Sequence, residues 1–180
     1  MLEDALGSRS KVRLLRALCQ RPGRSVSTDE LVAVTGQSTG TLVPALQQLV
    51  TSGLLATRLE GRSRTYTLVE ENPSLPLLRR LFDEETRLLD RTCDAIARRA
   101  VGGGLRFAAW AHREGVLLVL IAEDAAKTRS LAEEAAKTQP GIELRVLTPA
   151  DARAALEADL ARILDEGRVV FADESWLRGE

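Results

Sequence analysis

A chain of 180 residues with 44% hydrophobic and 3% aromatic side chains can hold one large domain or two small ones, with cores of Leu, Val and Ala. No apolar run reaches bilayer length, and the acid-containing start MLEDALGSRSK lacks the apolar stretch of a secretion signal, so a cytoplasmic protein with no membrane partner is expected. The net charge of −1 is unevenly divided: residues 1–69 hold nine basic and five acidic side chains, net +4, and the rest sixteen and twenty-one, net −5. A basic half beside an acidic one suits a DNA-binding module with an appended domain.

The first predicted helix runs from Ser8 to about Gln20. Val12, Leu15, Leu18 and Cys19 form its inner stripe, and Arg13, Arg16 and Gln20 face outward. Arg21-Pro22-Gly23 ends it, and Ser25-Val26 can add a short strand. Cys19 and Cys93 lack a C-x-x-C partner and His112 is the only histidine, so a zinc site is not expected and the thiols read as small buried hydrophobes. Of the basic side chains, 22 are Arg and three are Lys, which favours a prokaryotic source with a GC-rich coding sequence.

Ser27 and Glu30 form an S-x-x-E capping box, and Val26 is placed to staple onto Leu31. Gly36 supplies a left-handed cap. Ser38 is the expected side-chain cap of the next helix, whose inner stripe is Leu42, Ala45, Leu46 and Leu49, and Gly53 closes it. Two capped helices a few residues apart make a helix-turn-helix, in which the second helix lies in the major groove of DNA. Its outward residues are Thr39, Thr41, Pro44, Gln47, Gln48 and Thr51. Strands then follow over residues 54–59 and 65–69, joined by Glu60-Gly61-Arg62-Ser63-Arg64 as a basic wing.

Residues 70–74 read as a linker. The next apolar positions, Leu78, Leu81, Phe82, Leu88, Leu89, Cys93 and Ile96, have helical spacing. Two roles are open to that stripe: packing against a second copy, or packing on its own C-terminal domain. Gly102 to Gly104 end the helix. Strands are predicted over residues 105–110 and 116–121, a helix from Ala125 to Thr138 with Leu131, Ala135 and Ala136 inward, and a strand over Ile142 to Leu147. Thr148-Pro149 starts another helix, reaching about Asp165 with a break near Glu157; a strand over Arg168 to Phe171 and a turn over 173–177 complete the half. The fold class is therefore α+β, with a winged helix-turn-helix domain over 1–72, a helical linker or dimerisation region over 73–104 and a small α/β domain over 105–180.

The segment from Leu6 to Leu68 resembles the ArsR-like winged helix-turn-helix regulators of bacteria and archaea, in its element order and at Gly36, Ser38, Gly40, Leu46, Leu49, Gly53 and Leu54. Pro44 departs from that pattern. An interior proline loses a backbone hydrogen bond at about 3 kcal/mol, so an irregular start or a kink is expected there. The C-terminal half resembles the minimal nucleotidyltransferase domain of the DNA polymerase beta superfamily, in its strand-strand-helix-strand pattern and in IELRVLTPADARAAL and ILDEGRVVFADESWL. That family's chemistry needs a G-S motif after the first strand and a D-x-D on the second. Here Ala111 to Gly115 and a strand without a carboxylate before Glu123 occupy those places, so the resemblance implies a degenerate domain. Glu123, Asp124 and Glu143 are the acids nearest the missing ones, and a pair such as Glu123-Asp124 after a strand more often caps a helix. His112, the one candidate general base, reads as a solvated loop residue.

The reading that results is a homodimeric, sequence-specific regulator of transcription that binds duplex DNA, with no catalytic residue, metal or cofactor. Its expected DNA contacts are Gln37, Ser38, Thr39, Thr41, Gln47 and Gln48 on the helix-turn-helix, and Arg58, Arg62, Ser63 and Arg64 on the wing. Arg9, Lys11 and Arg13 can add phosphate contacts. The C-terminal domain is left for dimerisation or for binding an effector or partner. The competing readings are a nucleotidyltransferase targeted by its winged helix, and an interaction module that no longer binds DNA.

Overall fold

The computed structural model describes residues 8–61, 63–112, 116–137, 141–155 and 167–173. It is a mixed α+β structure with two separate sheets, and it divides into two units, Met1–Thr86 and Arg87–Glu180. The division falls inside one helix, α4, which spans Leu75–Ala100.

In the first unit, α1 (Arg9–Cys19) buries Val12, Leu14, Leu15, Ala17 and Leu18, a wider face than the predicted stripe. Arg16 is a correction. Expected outside, it is 5% exposed. Its Nε and Nη2 donate to the two carboxylate oxygens of Glu85, each at 2.9 Å, and its guanidinium lies over the Phe82 ring, 5.6 Å from the centroid. Bidentate pairing and the ring face together satisfy a buried cation, and both partners come from the start of α4, out of reach of any local pattern.

The short strand β1 is Val26–Ser27, one residue later than predicted, and α2 (Thr28–Thr35) follows at once. Ser27 Oγ accepts the Glu30 N–H at 3.2 Å, so one half of the capping box is present. The Glu30 carboxylate pairs with Arg24 at 2.9 Å. Val26 and Leu31 are both 1% exposed, in one core. Gly36 ends α2 in the left-handed region, with φ 68°. Next, α3 (Thr39–Thr51) seats Leu42, Ala45, Leu46 and Leu49 in that core. Ser38 occupies the cap position, but its hydroxyl makes no cap bond and lies 3.0 Å from Thr41 Oγ1 instead. The expected irregular start is also absent: α3 begins at Thr39 and runs through Pro44 as one helix. Pro44 and Gly40, whose carbonyl loses its helical partner, are both exposed, so water can reach that carbonyl.

Strands β2 (Leu55–Glu60) and β3 (Ser63–Leu68) form an antiparallel hairpin, with β1 on the far side of β3. Glu60 pairs directly with Ser63, so the connection is two residues long rather than the predicted five. Gly61 begins it with φ 62°, the positive angle that such a tight hairpin turn requires.

The second unit is built on a four-stranded sheet in the order β6-β5-β4-β7. Strand β4 (Leu105–His112) runs antiparallel to β5 (Val116–Ala122) and β7 (Arg168–Ala172), whereas β5 is parallel to β6 (Ile142–Leu147). The crossover between the parallel pair is α5 (Ala125–Ala136). All seven residues of β5 are buried. On one face, Ala108, Trp110, Leu118 and Leu120 pack with Leu89, Cys93, Ile96 and Ala97 of α4 and with Ala132 of α5. On the other, Phe107, Ala109, Val119 and Ile121 pack with Ala152 of α6 (Pro149–Ala155). The buried residues of α5 are Thr128 and Ala132 and not Leu131, which is half-buried. Leu88 is also corrected: it is 59% exposed, because its neighbour Leu89 takes the core position. The helix predicted beyond Ala155 and the turn beyond Asp173 lie outside the described residues. Before β4, a single 3-10 turn over Val101–Gly103 brings the chain against α5. A Cβ on Gly103 would lie 2.1 Å from Thr128 Oγ1, so only glycine fits this close approach.

Candidate nucleic-acid interface

The turn between α2 and α3 is held from inside. Thr35 Oγ1 donates to the Leu31 carbonyl at 2.7 Å, and the Gln37 side-chain oxygen accepts from the Ser10 hydroxyl of α1. Gln37 is therefore half-buried and ties the turn to α1, with its amide Nε2 buried and lacking a hydrogen-bond partner. Beyond that turn, Ser38, Thr39, Gly40, Thr41, Val43, Pro44, Gln47, Gln48 and Thr51 are all exposed. At about 100° per residue, Gly40, Pro44, Gln47 and Thr51 run along the middle of this side, directly away from the Leu42–Leu49 stripe. Thr41 and Gln48 flank it on one edge, and Thr39 and Val43 on the other. Val43, 39% exposed, was missed by the sequence reading because an apolar residue is assigned inward by default. The helical angle was the signal that could have found it.

No residue of α3 carries a charge. The cations stand on the hairpin. Arg58, Ser63 and Arg64 are exposed, and neither arginine is held in an ion pair among the described residues. Arg62 lies outside the described residues. The pairings Arg58 with Thr65 and Leu59 with Arg64 settle which way these side chains leave the ribbon, because directly paired residues share a face. Arg64 and Leu59 belong to the face that carries Leu55, Tyr66 and Leu68 into the core; Arg58 belongs to the opposite one. Leu59 is 69% exposed, since the hairpin projects past the core and only its base is packed. On α1, Arg9 is exposed and Lys11 and Arg13 are half-buried.

Four acids of the second unit, Asp90, Glu123, Asp124 and Asp173, are already engaged. Arg106 pairs with Glu123 at 3.0 Å and with Asp173 at 2.8 Å, and these two carboxylates raise its pKa. Asp124 caps α5, its Oδ1 accepting the Lys127 N–H at 2.9 Å, as an acid in that position should. Asp90 accepts from Trp110 Nε1 at 2.9 Å and from Arg168 Nε at 2.8 Å, beside a groove of about 500 Å³ lined also by Arg91, Asp94, Val169 and Val170. Among the described residues, no group of three or more His, Cys, Asp or Glu could hold a metal ion. Burial pushes the Cys19 thiol up to about 11 and that of Cys93 up to about 12, so neither supplies thiolate at neutral pH. Among the described residues, no helix is long and apolar enough to cross a membrane.

No family model and no curated protein matches the chain. Solved structures similar to parts of it include BpsR of Bordetella bronchiseptica, whose DNA binding is regulated by 6-hydroxynicotinic acid. It is 23% identical, with 43% of this chain covered, 56% of that chain and a TM-score of 0.37. Reduced HlyU of Vibrio cholerae is 26% identical over 48% of this chain and 83% of its own, with a TM-score of 0.35. TrmBL2, an archaeal chromatin protein with its own mode of DNA binding, is 14% identical over 90% of this chain and 74% of its own, with a TM-score of 0.33. The chain thus spans little more than half of BpsR.

Proposed function

We propose that this protein is a sequence-specific DNA-binding regulator of transcription, of the ArsR-like kind, which reads the major groove with α3 and grips the backbone with its wing. The observation that carries the reading is the pairing of an exposed, uncharged, hydrogen-bonding helix face with a hairpin whose Arg58 and Arg64 are exposed. Base edges are read by side chains of the first sort, and phosphates attract the second. Two copies acting on two half-sites would multiply both affinity and specificity. Leu89, Cys93 and Ile96 are core residues of the second unit, so the exposed Leu77 and Leu88 of α4 are the ones left to meet a second copy. The second unit, in this reading, is a degenerate nucleotidyltransferase-like domain without catalysis, serving dimerisation or effector binding. Its β5 offers no carboxylate to a metal, and Glu123 and Asp124 are taken by Arg106 and by the cap of α5.

Incubation of the full chain with pooled genomic fragments tests the proposal. Retention of a discrete set of fragments, weakened as salt rises, is the expected result. No retention at low salt would remove the reading. Light scattering at micromolar concentration should give a dimer mass, which Leu88→Glu should halve.

A further inference from the structure

We infer that α3 reads A·T base pairs, so that the centre of each DNA half-site is defined by adenine and thymine and not by guanine. The inference rests on the DNA-binding reading above and names the sequence class recognised by that same surface. In the major groove, guanine is read chiefly by Arg or Lys on O6 and N7, and cytosine by a carboxylate on N4. From Thr39 to Thr51, α3 has none of these side chains. Two of its three exposed hydroxyls already make a hydrogen bond, and a hydroxyl favours no one base. Ser38 Oγ and Thr41 Oγ1 are 3.0 Å apart, and Thr51 Oγ1 donates to the Gln47 carbonyl at 2.9 Å. Gln47 on the midline and Gln48 beside it are then the readers of the face. A glutamine amide matches adenine in both directions, accepting from N6 and donating to N7. Next to them Val43 and Pro44 are exposed and apolar, and what the major groove offers to such groups is the thymine C5 methyl. Gly40, on the same midline and without a side chain, lets the first turn approach the bases closely.

Selection of duplexes from a randomised library with the full chain should give half-sites whose central positions are A·T. On the winning duplex, replacing each central thymine by deoxyuridine removes only the methyl and should weaken binding about threefold per contacted base. Replacing a central adenine by 7-deazaadenine removes N7 and should weaken binding of the unaltered protein about fivefold or more. In Gln47→Ala, that second replacement should have no further effect. Half-sites centred on G·C, or affinity unchanged by both base analogues, would overturn the inference while leaving DNA binding intact. Failure to bind any duplex would instead refute the DNA-binding reading, and the base preference with it. Because the analogues are tested on the unaltered protein, a folding defect in the variant cannot mask the answer.

Discussion

The two units place their cations differently. In the second, several cations and acids pair with one another: Arg106 holds Glu123 and Asp173, and Asp90 receives both Arg168 and the Trp110 indole. In the first, Arg16 and Glu85 close on each other in the interior, while Arg58 and Arg64 stand exposed on a hairpin that runs beyond its core. Charges that are matched within a unit have little field left to offer a partner. Charges held on a projecting ribbon beside an uncharged helix are placed to meet a polyanion, and this contrast is the physical reason for proposing that DNA binds the first unit.

The contrast is broken most severely at Arg16. Its pair with Glu85 is 6% and 10% exposed, so Glu85→Ala takes the paired carboxylate from a buried guanidinium and should cost about 3–5 kcal/mol. Denaturant titration should show the first unit unfolding early and DNA binding lost with it. Unchanged stability would mean that the pair is hydrated and the first unit no better matched inside than outside. Gly103→Ala is the counterpart in the second unit. The added Cβ would meet Thr128 Oγ1 at 2.1 Å and its backbone nitrogen at 2.8 Å, so α5 must shift, at about 1–3 kcal/mol. The second unit should melt earlier while affinity for DNA at low temperature holds; a parallel fall in affinity would mean that the second unit shares in binding.

A smaller effect sharpens the reading of the acids. Asp124→Ala removes the α5 cap and should cost about 1 kcal/mol, equally with and without magnesium or manganese. A metal-dependent gain in stability that disappears in Asp124→Ala would restore a metal site to this unit.

Sequence reached several features whose causes are local, though not the missing Ser38 cap bond. The Ser27 cap, the left-handed Gly36, the Leu42–Leu49 stripe and the Asp124 cap each depend on residues within one or two helical turns. It did not reach Arg16, because the carboxylate that draws this residue inward lies 69 positions away. Leu88 and Leu89 fit the same helical period, and only the packed partner decides which of the two is buried. The wing was legible as a hairpin, but its length depended on how far strand pairing continues past the core. That Arg58 and Arg64 leave opposite faces could have been read from strand alternation once the Arg58–Thr65 pairing was known. On α3, the outward position of Gln47 and Gln48 was legible from the helical period. Gln37 was placed on the outer surface because its tie to Ser10 spans two elements.

Binding of two variants to two duplexes, one selected and one scrambled, across a range of salt, tests the central claim most directly. Log affinity of the unaltered chain should fall linearly with log salt, with a slope of about −0.9 per phosphate neutralised. Gln47→Ala should lose about 1–3 kcal/mol on the selected duplex and almost nothing on the scrambled one, whereas Arg64→Ala should weaken both and flatten the slope. Equal losses by both variants on both duplexes, or binding that does not respond to salt, would contradict the division between a reading helix and a gripping wing.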